Sequence, residues 1–283
     1  MIQRMDLHTH SHFSDGTLSP AELVEHAWCS RVDVLALTDH DTLDGLPEAK
    51  QAASERGLQL VEGVEISSQW YKPNKKNPIG VHIIALAPKD LQPLHDLLHE
   101  QQQIRATRAV QICQRLEKAT KQDPWPEVLA LAGGRAEGVT RSHIAKWLVE
   151  KKIVARQQQA FDHFLKEGKS AFVPLAWAEI KQVMDCIKAS GAQAVLAHPT
   201  RYSLSATHIR YMVAMFKSLG GDALELPSAN EPPATRAMMD QLIAQHELAV
   251  SVASDFHGAN MPWLKLGHVP AIKEGQRGVW EQF

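Results

Sequence analysis

Short apolar runs that end in His, Asp or Glu recur along this chain, and they limit its fold more than any other feature. Ile2 to Leu7 runs into His8 and His10, and Val32 to Leu37 runs into Asp39 and His40. Leu58 to Val64 leads to Glu65, and Val81 to Leu86 carries His82. Ala194 to Ala197 precedes His198 and Pro199, Ala223 to Leu226 ends at Pro227, and Leu248 to Ala253 runs into Asp255 and His257. Near-continuous apolar runs of this length predict about seven strands buried on both faces. Helical spacing predicts helices between them, over Pro20 to Ser30, Pro47 to Arg56, Trp177 to Ala189, His208 to Leu219 and Pro233 to His246. The first has Ser19 as its N-cap and Pro20 at its first helical position. Strand alternating with helix predicts a parallel α/β fold, open or closed into a barrel. In such barrels chemistry gathers at the C-terminal ends of the strands.

One stretch breaks the rhythm. From about Leu91 to Leu175 the pattern is helical and polar, with long helices expected over Gln101 to Lys118 and Arg141 to Lys152. The expected organisation is therefore a body of residues 1–90 and 176–283 with an inserted helical lobe, 91–175. Of the 30 basic and 32 acidic residues, 13 and 9 fall in the lobe, a formal +4 there against -6 elsewhere. A basic lobe on an acidic body suits an anionic substrate.

Composition narrows the class. The net charge of -2 gives no bulk pull toward nucleic acid or membrane, and 15 histidines hint at metal chemistry. Cys29, Cys113 and Cys186 show no C-x-x-C spacing, so neither a disulfide framework nor a zinc knuckle is expected. No run of about 18 apolar residues is present, so no membrane span is expected. The first motif begins at Asp6, so no leader is expected either, and the chain reads as cytoplasmic. No G-x-G-x-x-G or Walker A segment supports a redox cofactor or a phosphoryl donor.

The polar residues at the strand ends form a set. His8 and His10 lie two apart on a strand and face the same way, as do Asp255 and His257. Asp15 sits in a turn-like Ser-Asp-Gly, and His40 lies between Asp39 and Asp41 after an apolar strand, where packing explains charge poorly. His82 alone reads as readily as a core histidine with one partner. Together, His8, His10, Asp15, His40, Glu65, His82, His198, Asp255 and His257 are nitrogen and oxygen donors without a thiolate. Such a set suits manganese, zinc, iron or magnesium better than a thiolate-rich site would, and manganese is the expected ion. Nine donors exceed the needs of one ion, so two to three divalent ions sharing a carboxylate are expected.

The order D-L-H-T-H-S-x-x-S-D-G, L-T-D-H-D, G-V-E-I-S, V-H, A-H-P and S-D-x-H resembles the polymerase and histidinol phosphatase (PHP) family, over 1–90 and about 190–260. The resemblance implies a distorted (β/α)7 barrel with a trinuclear site at the strand C-termini. It implies one ion on His8, His10, Glu65 and Asp255, a second bridged by Glu65 to His82 and His198, and a third on Asp15, His40 and His257. Thr140-Arg141-Ser142-His143 opening a helix, and His198-Pro199-Thr200-Arg201, resemble stand-alone family members that act on nucleotides. Arg141, Ser142 and His143 at a helix start, with Arg201 and more weakly Arg135, are the candidates to hold substrate phosphates.

The implied enzyme is a phosphoric ester hydrolase removing the 3′-phosphate of nucleoside 3′,5′-bisphosphates by attack of a metal-bridging hydroxide, with Glu65, Asp255 and His257 as catalytic groups. Arg141 and Arg201 are expected to share a non-reacting phosphate. The alternatives are a 5′-3′ exoribonuclease on short 5′-phosphorylated RNA, a histidinol-phosphatase-like monoesterase, a metal-dependent amidohydrolase, and a non-catalytic scaffold. The last would be expected to have lost ligands, and none is missing here. The expected partner is a small anionic substrate, nucleotide or short RNA, with no membrane and no obligate protein partner.

Overall fold

The computed structural model describes residues 4–174, 176–228, 230–259, 261 and 264–283. The first expected strand begins at Ile2. Residues 1–3 lie outside the described ones, and β1 is Met5–Asp6. Helix α1, Pro20–Cys29, starts with a full capping box: Ser19 accepts from the Glu22 N–H and the Glu22 carboxylate accepts from the Ser19 N–H. Two otherwise orphaned donors are satisfied there. Strand β2, Val34–Leu37, is buried at every position. Helix α2, Leu46–Arg56, ends at Gly57, whose φ of 65° is the left-handed conformation glycine takes without strain.

Strand β3, Gln59–Tyr71, and strand β4, Pro78–Leu86, form a long hairpin. The pairing is antiparallel, with Glu65 opposite Ile84 and Ser67 opposite His82. The expectation of an all-parallel sheet is thus corrected. The cause is the short link 72–77, since a parallel pair needs a crossover of a dozen or more residues. Strand β4 is antiparallel to its other neighbour as well, β5 at Gln193–Leu196. The remaining neighbours, among them β6 at Ala223–Glu225 and β7 at Ala249–Ser251, pair in parallel.

The result is an α/β fold on a curled seven-stranded sheet in sequential order. Its two ends meet through backbone hydrogen bonds from Leu7 N–H to the Val252 carbonyl, Asp255 N–H to His8 and His10 N–H to Phe256, each 3.0 Å. Alternate residues divide the sheet faces: Leu35 and Leu37 belong to one apolar cluster, Val34 and Ala36 to another. The second cluster also holds Leu7, Ile84, Val195 and Val279.

Helix α3, Gln92–Thr120, starts nine residues before the expected Gln101, because Leu94, Leu97 and Leu98 pack into the larger sheet cluster. Its second half, with Ala109, Ile112, Cys113 and Leu116, belongs to a separate apolar cluster. That cluster also takes residues from α4 (Trp125–Leu131), α5 (Arg141–Glu150), α6 (Gln157–Ala160) and the following π-helical turn Phe161–Leu165. Helix α7, Ile180–Ser190, starts later than the expected Trp177. The preceding residues pair with β3 instead: Gln69 N–H donates to the Ala178 carbonyl at 2.9 Å and Gln69 bridges Glu179. Helices α8, Ala206–Ser218, and α9, Pro233–Gln245, fall within two residues of their expected bounds. Among the described residues, no helix is long and apolar enough to cross a membrane.

Candidate metal centre

The structure brings all nine candidate His, Asp and Glu donors to one place. Their donor atoms form overlapping groups: His8, His10 and Asp255; His8, Glu65 and His198; His40, Glu65 and His82; and His10, Asp15, His40 and His257. Two local features produce this. Strand β4 runs against its neighbours, so its middle lies level with the C-terminal ends of the parallel strands. His82 therefore reaches the site from inside a strand. Strand β3 continues beyond Val64, where the sequence suggested its end, and Glu65 is a buried mid-strand residue bridged to His40.

Glu65 is the hub. Its Oε1 lies 2.8 Å from His82 Nδ1 and 3.0 Å from His198 Nε2. Its Oε2 lies 2.9 Å from His40 Nδ1, 3.3 Å from His8 Nε2 and 3.4 Å from His10 Nε2. Burial would raise the Glu65 pKa, but His82, His40 and His8 outweigh it and hold the carboxyl well below its usual range. Asp255 Oδ1 is 3.4 Å from His8 Nε2 and 3.3 Å from His10 Nε2, which are themselves 3.0 Å apart.

These distances test whether a metal fits. Atoms at tetrahedral corners spaced 3.0–3.4 Å enclose a point about 2.0 Å from each, a normal metal–nitrogen or metal–oxygen length. Asp15 Oδ1, Glu65 Oε2 and His40 Nδ1 are buried and without a hydrogen-bond partner among the described residues; the 2.9 Å contact between the last two is out of line for a hydrogen bond. Buried polar atoms left so are costly and rare unless something else binds them. The donor set fits divalent ions.

The surroundings fix which nitrogen of each ring is free. His8 Nδ1 donates to Glu225 Oε2 at 2.7 Å, which turns its Nε2 lone pair inward. His10 Nδ1 donates to Ser14 Oγ at 3.3 Å, and Ser14 donates to Asp39 Oδ1 at 2.6 Å. Asp39 also accepts from the Ser11 N–H and hydroxyl, which ties down the loop after β1. His257 Nδ1 donates to the Asp255 carbonyl at 2.9 Å, leaving Nε2 3.2 Å from Asp15 Oδ1. Outer partners of this kind set tautomer and ring orientation in metal sites. Burial lowers the His257 pKa, yet Asp15 and Asp255 raise it to about 10. Burial and the neighbouring His257 take His10 down to about 3.

The backbone is strained at the site. His198 and Asp255 have φ of 30° and 55°, and Asp41, beside His40, has 52°. Such conformations cluster where the surrounding structure over-determines them. Gly16 has a different constraint: a Cβ there would lie 2.3 Å from the His10 carbonyl oxygen, so only glycine lets the chain place Asp15 beside the histidines.

A cleft of about 650 Å³ opens from Asp15, His40 and His82 toward the helical segment. Arg141 and Ser142, at the start of α5, line it; Thr140 Oγ1 accepts from the Ser142 N–H, and the Thr140 N–H donates to His143 Nδ1. Arg201 does not line this cleft. Its guanidinium pairs with Asp255 Oδ2. Arg135 donates to the His12 carbonyl at 3.1 Å and lies over the Phe13 ring. The sequence reading missed Glu225, whose signal was a carboxylate inside an otherwise apolar strand, and Arg105, which pairs with buried Asp41.

Known proteins resemble this chain over most of its length. The PHP domain family model matches residues 6–188. A 5′-3′ exoribonuclease of Haemophilus influenzae is 40% identical over 284 aligned residues, covering all of both chains. A 3′,5′-nucleoside bisphosphate phosphatase of Chromobacterium violaceum is 31% identical, over 99% of this chain and 96% of its own. A solved amidohydrolase from the same organism, with bound sulfate and no metal, superposes with a TM-score of 0.89 at 31% identity, covering 99% of this chain and 95% of that one.

Proposed function

This chain belongs to the PHP domain family and is a metal-dependent phosphoesterase, and from that premise we propose that it cleaves the phosphate ester at the 3′ oxygen of 5′-phosphorylated nucleotides, most simply the 3′-phosphate of a nucleoside 3′,5′-bisphosphate. The observation that carries this reading is the convergence of nine buried or half-buried donors beside a cleft lined with arginine. The exoribonuclease reading is favoured by the 40% identical relative and rests on the same bond. A short 5′-phosphorylated RNA also presents a phosphorus joined to the 3′ oxygen of its first nucleotide.

In this reading His8, His10, Glu65 and Asp255 hold one ion, Glu65, His82 and His198 a second, and Asp15, His40 and His257 a third. Two to three ions are implied, manganese first, with zinc, iron or magnesium as alternatives. Bound there, they supply an acidified water and neutralise charge on the phosphoryl oxygens. The chain's own residues do the rest. Glu225 holds His8 in its ligating tautomer, and Arg201 orients Asp255 through their ion pair. Ser14 and Asp39 do the same for His10. Arg141, with Ser142 and His143 at the helix start and Arg135 nearby, draws the substrate phosphate into the cleft. The segment 91–175 acts as a substrate-binding lobe set into a distorted (β/α)7 barrel formed by 1–90 and 176–283.

A substrate panel tests the reading. Adenosine 3′,5′-bisphosphate and a 5′-phosphorylated trinucleotide RNA should be hydrolysed with manganese, each releasing adenosine 5′-monophosphate or its equivalent. Histidinol phosphate should be poor. Preference for histidinol phosphate over both nucleotide substrates would overturn the assignment.

A further inference from the structure

His8, His10 and His257 each have an outer hydrogen bond that fixes the ring. His198 has none. Its Nε2 faces Glu65 Oε1 at 3.0 Å, and its buried Nδ1 has no partner among the described residues. His82 meets the same carboxylate oxygen through Nδ1 at 2.8 Å. One side chain touches both of these histidines. The Tyr202 ring lies edge-on to His198, with centroids 5.4 Å apart and planes at 63°. Its hydroxyl accepts from the His82 backbone N–H at 2.8 Å and donates to the Ala197 carbonyl at 3.1 Å.

That hydroxyl occupies a rung of the sheet. Strands β4 and β5 pair antiparallel with Ile83 opposite Leu196, so one step further His82 faces Ala197. A regular hydrogen-bonded pair exchanges two bonds at such a step. One is present, from Ala197 N–H to the His82 carbonyl at 3.1 Å. The reciprocal bond, from His82 N–H to the Ala197 carbonyl, is not made directly; Tyr202 Oη bridges the two groups. A direct rung would satisfy both groups without any side chain, so the bridge alters the spacing of the strands and not the count of satisfied groups. Beyond it the chain leaves the ladder through His198, at φ 30°. A tight turn, with Arg201 N–H donating to the His198 carbonyl at 2.9 Å, brings Tyr202 back to this position, where it packs against the larger apolar cluster.

Resting on the phosphoesterase reading above, we propose that Tyr202 is a positioning residue for the ion held by Glu65, His82 and His198. Its hydroxyl, wedged between β4 and the end of β5, sets the separation at which the two strands deliver those histidines. Its ring backs the His198 imidazole that no outer hydrogen bond holds. Outer partners set ligand orientation in metal sites, and here a tyrosine between two strands does so for two ligands at once. Without the hydroxyl, the His82 N–H and the Ala197 carbonyl either close on each other or lose a partner, and both outcomes move the histidines. The effect falls on one ion, because the residues that Tyr202 touches serve that ion.

The test titrates metal-free wild type and Tyr202→Phe with manganese, by calorimetry and by competition against a chelator. One class of sites should weaken about 10- to 100-fold in the variant, the usual cost of losing an outer partner, while the others keep wild-type affinity. Added to His198→Ala, which lacks a ligand of that ion, Tyr202→Phe should cause no further loss, because both changes act on one site. Raising manganese should restore kcat in Tyr202→Phe, with the substrate KM as in wild type throughout. Unchanged affinity at every site overturns the proposal, as does equal weakening of all of them. Tyr202 also lines the cleft, so a raised KM with wild-type metal affinity would make it a substrate contact instead. A metal-free variant that no longer unfolds cooperatively would assign the hydroxyl to the fold and likewise overturn the proposal. If wild type binds manganese yet hydrolyses no phosphate ester, the phosphoesterase reading falls alone, since the affinity comparison still stands. If it binds no manganese, both fall.

Discussion

His8, His10, His40, His198, Asp255 and His257 could be picked from the sequence because the end of an apolar run leaves a polar side chain little to do but chemistry; Asp15 in a turn and Glu65 and His82 within strands stood out only as members of the set. Arg105 and Arg108 could not be picked out. They sit in a long helix rich in Gln and charge, which reads as solvated surface; only the placement of α3 against Trp177 buries them. Glu225 offered a weaker signal, a single carboxylate in a short apolar strand that no repeated motif marks. Its bond to His8 predicts that Glu225→Gln lowers metal affinity about 10- to 100-fold, the usual cost of losing such a partner. Competition against a chelator measures it, and unchanged affinity would mean that His8 holds its tautomer without help. Glu65→Gln should do more, abolishing turnover and lowering metal content together, because five imidazole nitrogens surround that one carboxylate. His257 supplies the pH dependence. In the metal-free protein its pKa is about 10, above the usual 6.5, so its contribution to stability is full below pH 6.5 and is lost as pH rises through 10. Metal must displace that proton. Loading at pH 7.5 should therefore release protons, read by calorimetry in two buffers of different ionisation enthalpy. Proton-neutral loading would remove His257 from the ligand set.

Element by element, helices were more legible than strand direction. The start of α1 was fixed by Ser19 and Pro20, and the structure shows the capping box closed as the residues suggest. Direction was lost at β4, because an apolar run looks the same read either way; the informative residues were the short link 72–77 before it. Trp177 misled for a third reason, since helical spacing says nothing about a neighbouring strand that claims the backbone first. The α1 cap can be tested apart from the chemistry. Ser19→Ala should cost about 1 kcal/mol, a fall of roughly 2–4 °C in Tm for a chain of this size. Activity at 25 °C should stay as in wild type, since α1 contributes no donor to the centre. A loss of kcat larger than the loss of folded protein would instead tie the α1 entry to the loop that carries Asp15.

Over the whole molecule the charge is unevenly spread: residues 91–175 carry a formal +4 and the rest -6, although the chain sums to only -2. The acidic excess includes the three carboxylates of the centre, which divalent ions would offset. The basic excess lies on the helical segment that forms one wall of the cleft. An approaching polyanion therefore meets a field directed at the cleft, and such steering acts through solvent and is screened. The Debye length is about 10 Å at 0.1 M salt and about 3 Å at 1 M. Arg108, only 8% exposed on the cleft wall, is screened less than a fully solvated surface charge. The two effects separate by ionic strength. Raising potassium chloride from about 0.02 to about 0.3 M should lower kcat/KM for a nucleoside bisphosphate severalfold through KM, with kcat held. An aryl phosphate carrying one phosphate should fall less, since it has less charge to steer. In Arg141→Ala the slope should flatten, because one exposed cation of the field is gone, while Arg108→Gln should keep the wild-type slope at a lower overall rate. Equal slopes for both substrates in wild type would show that the charge of the helical segment is spread over its outer face, and that capture depends on the buried arginines alone.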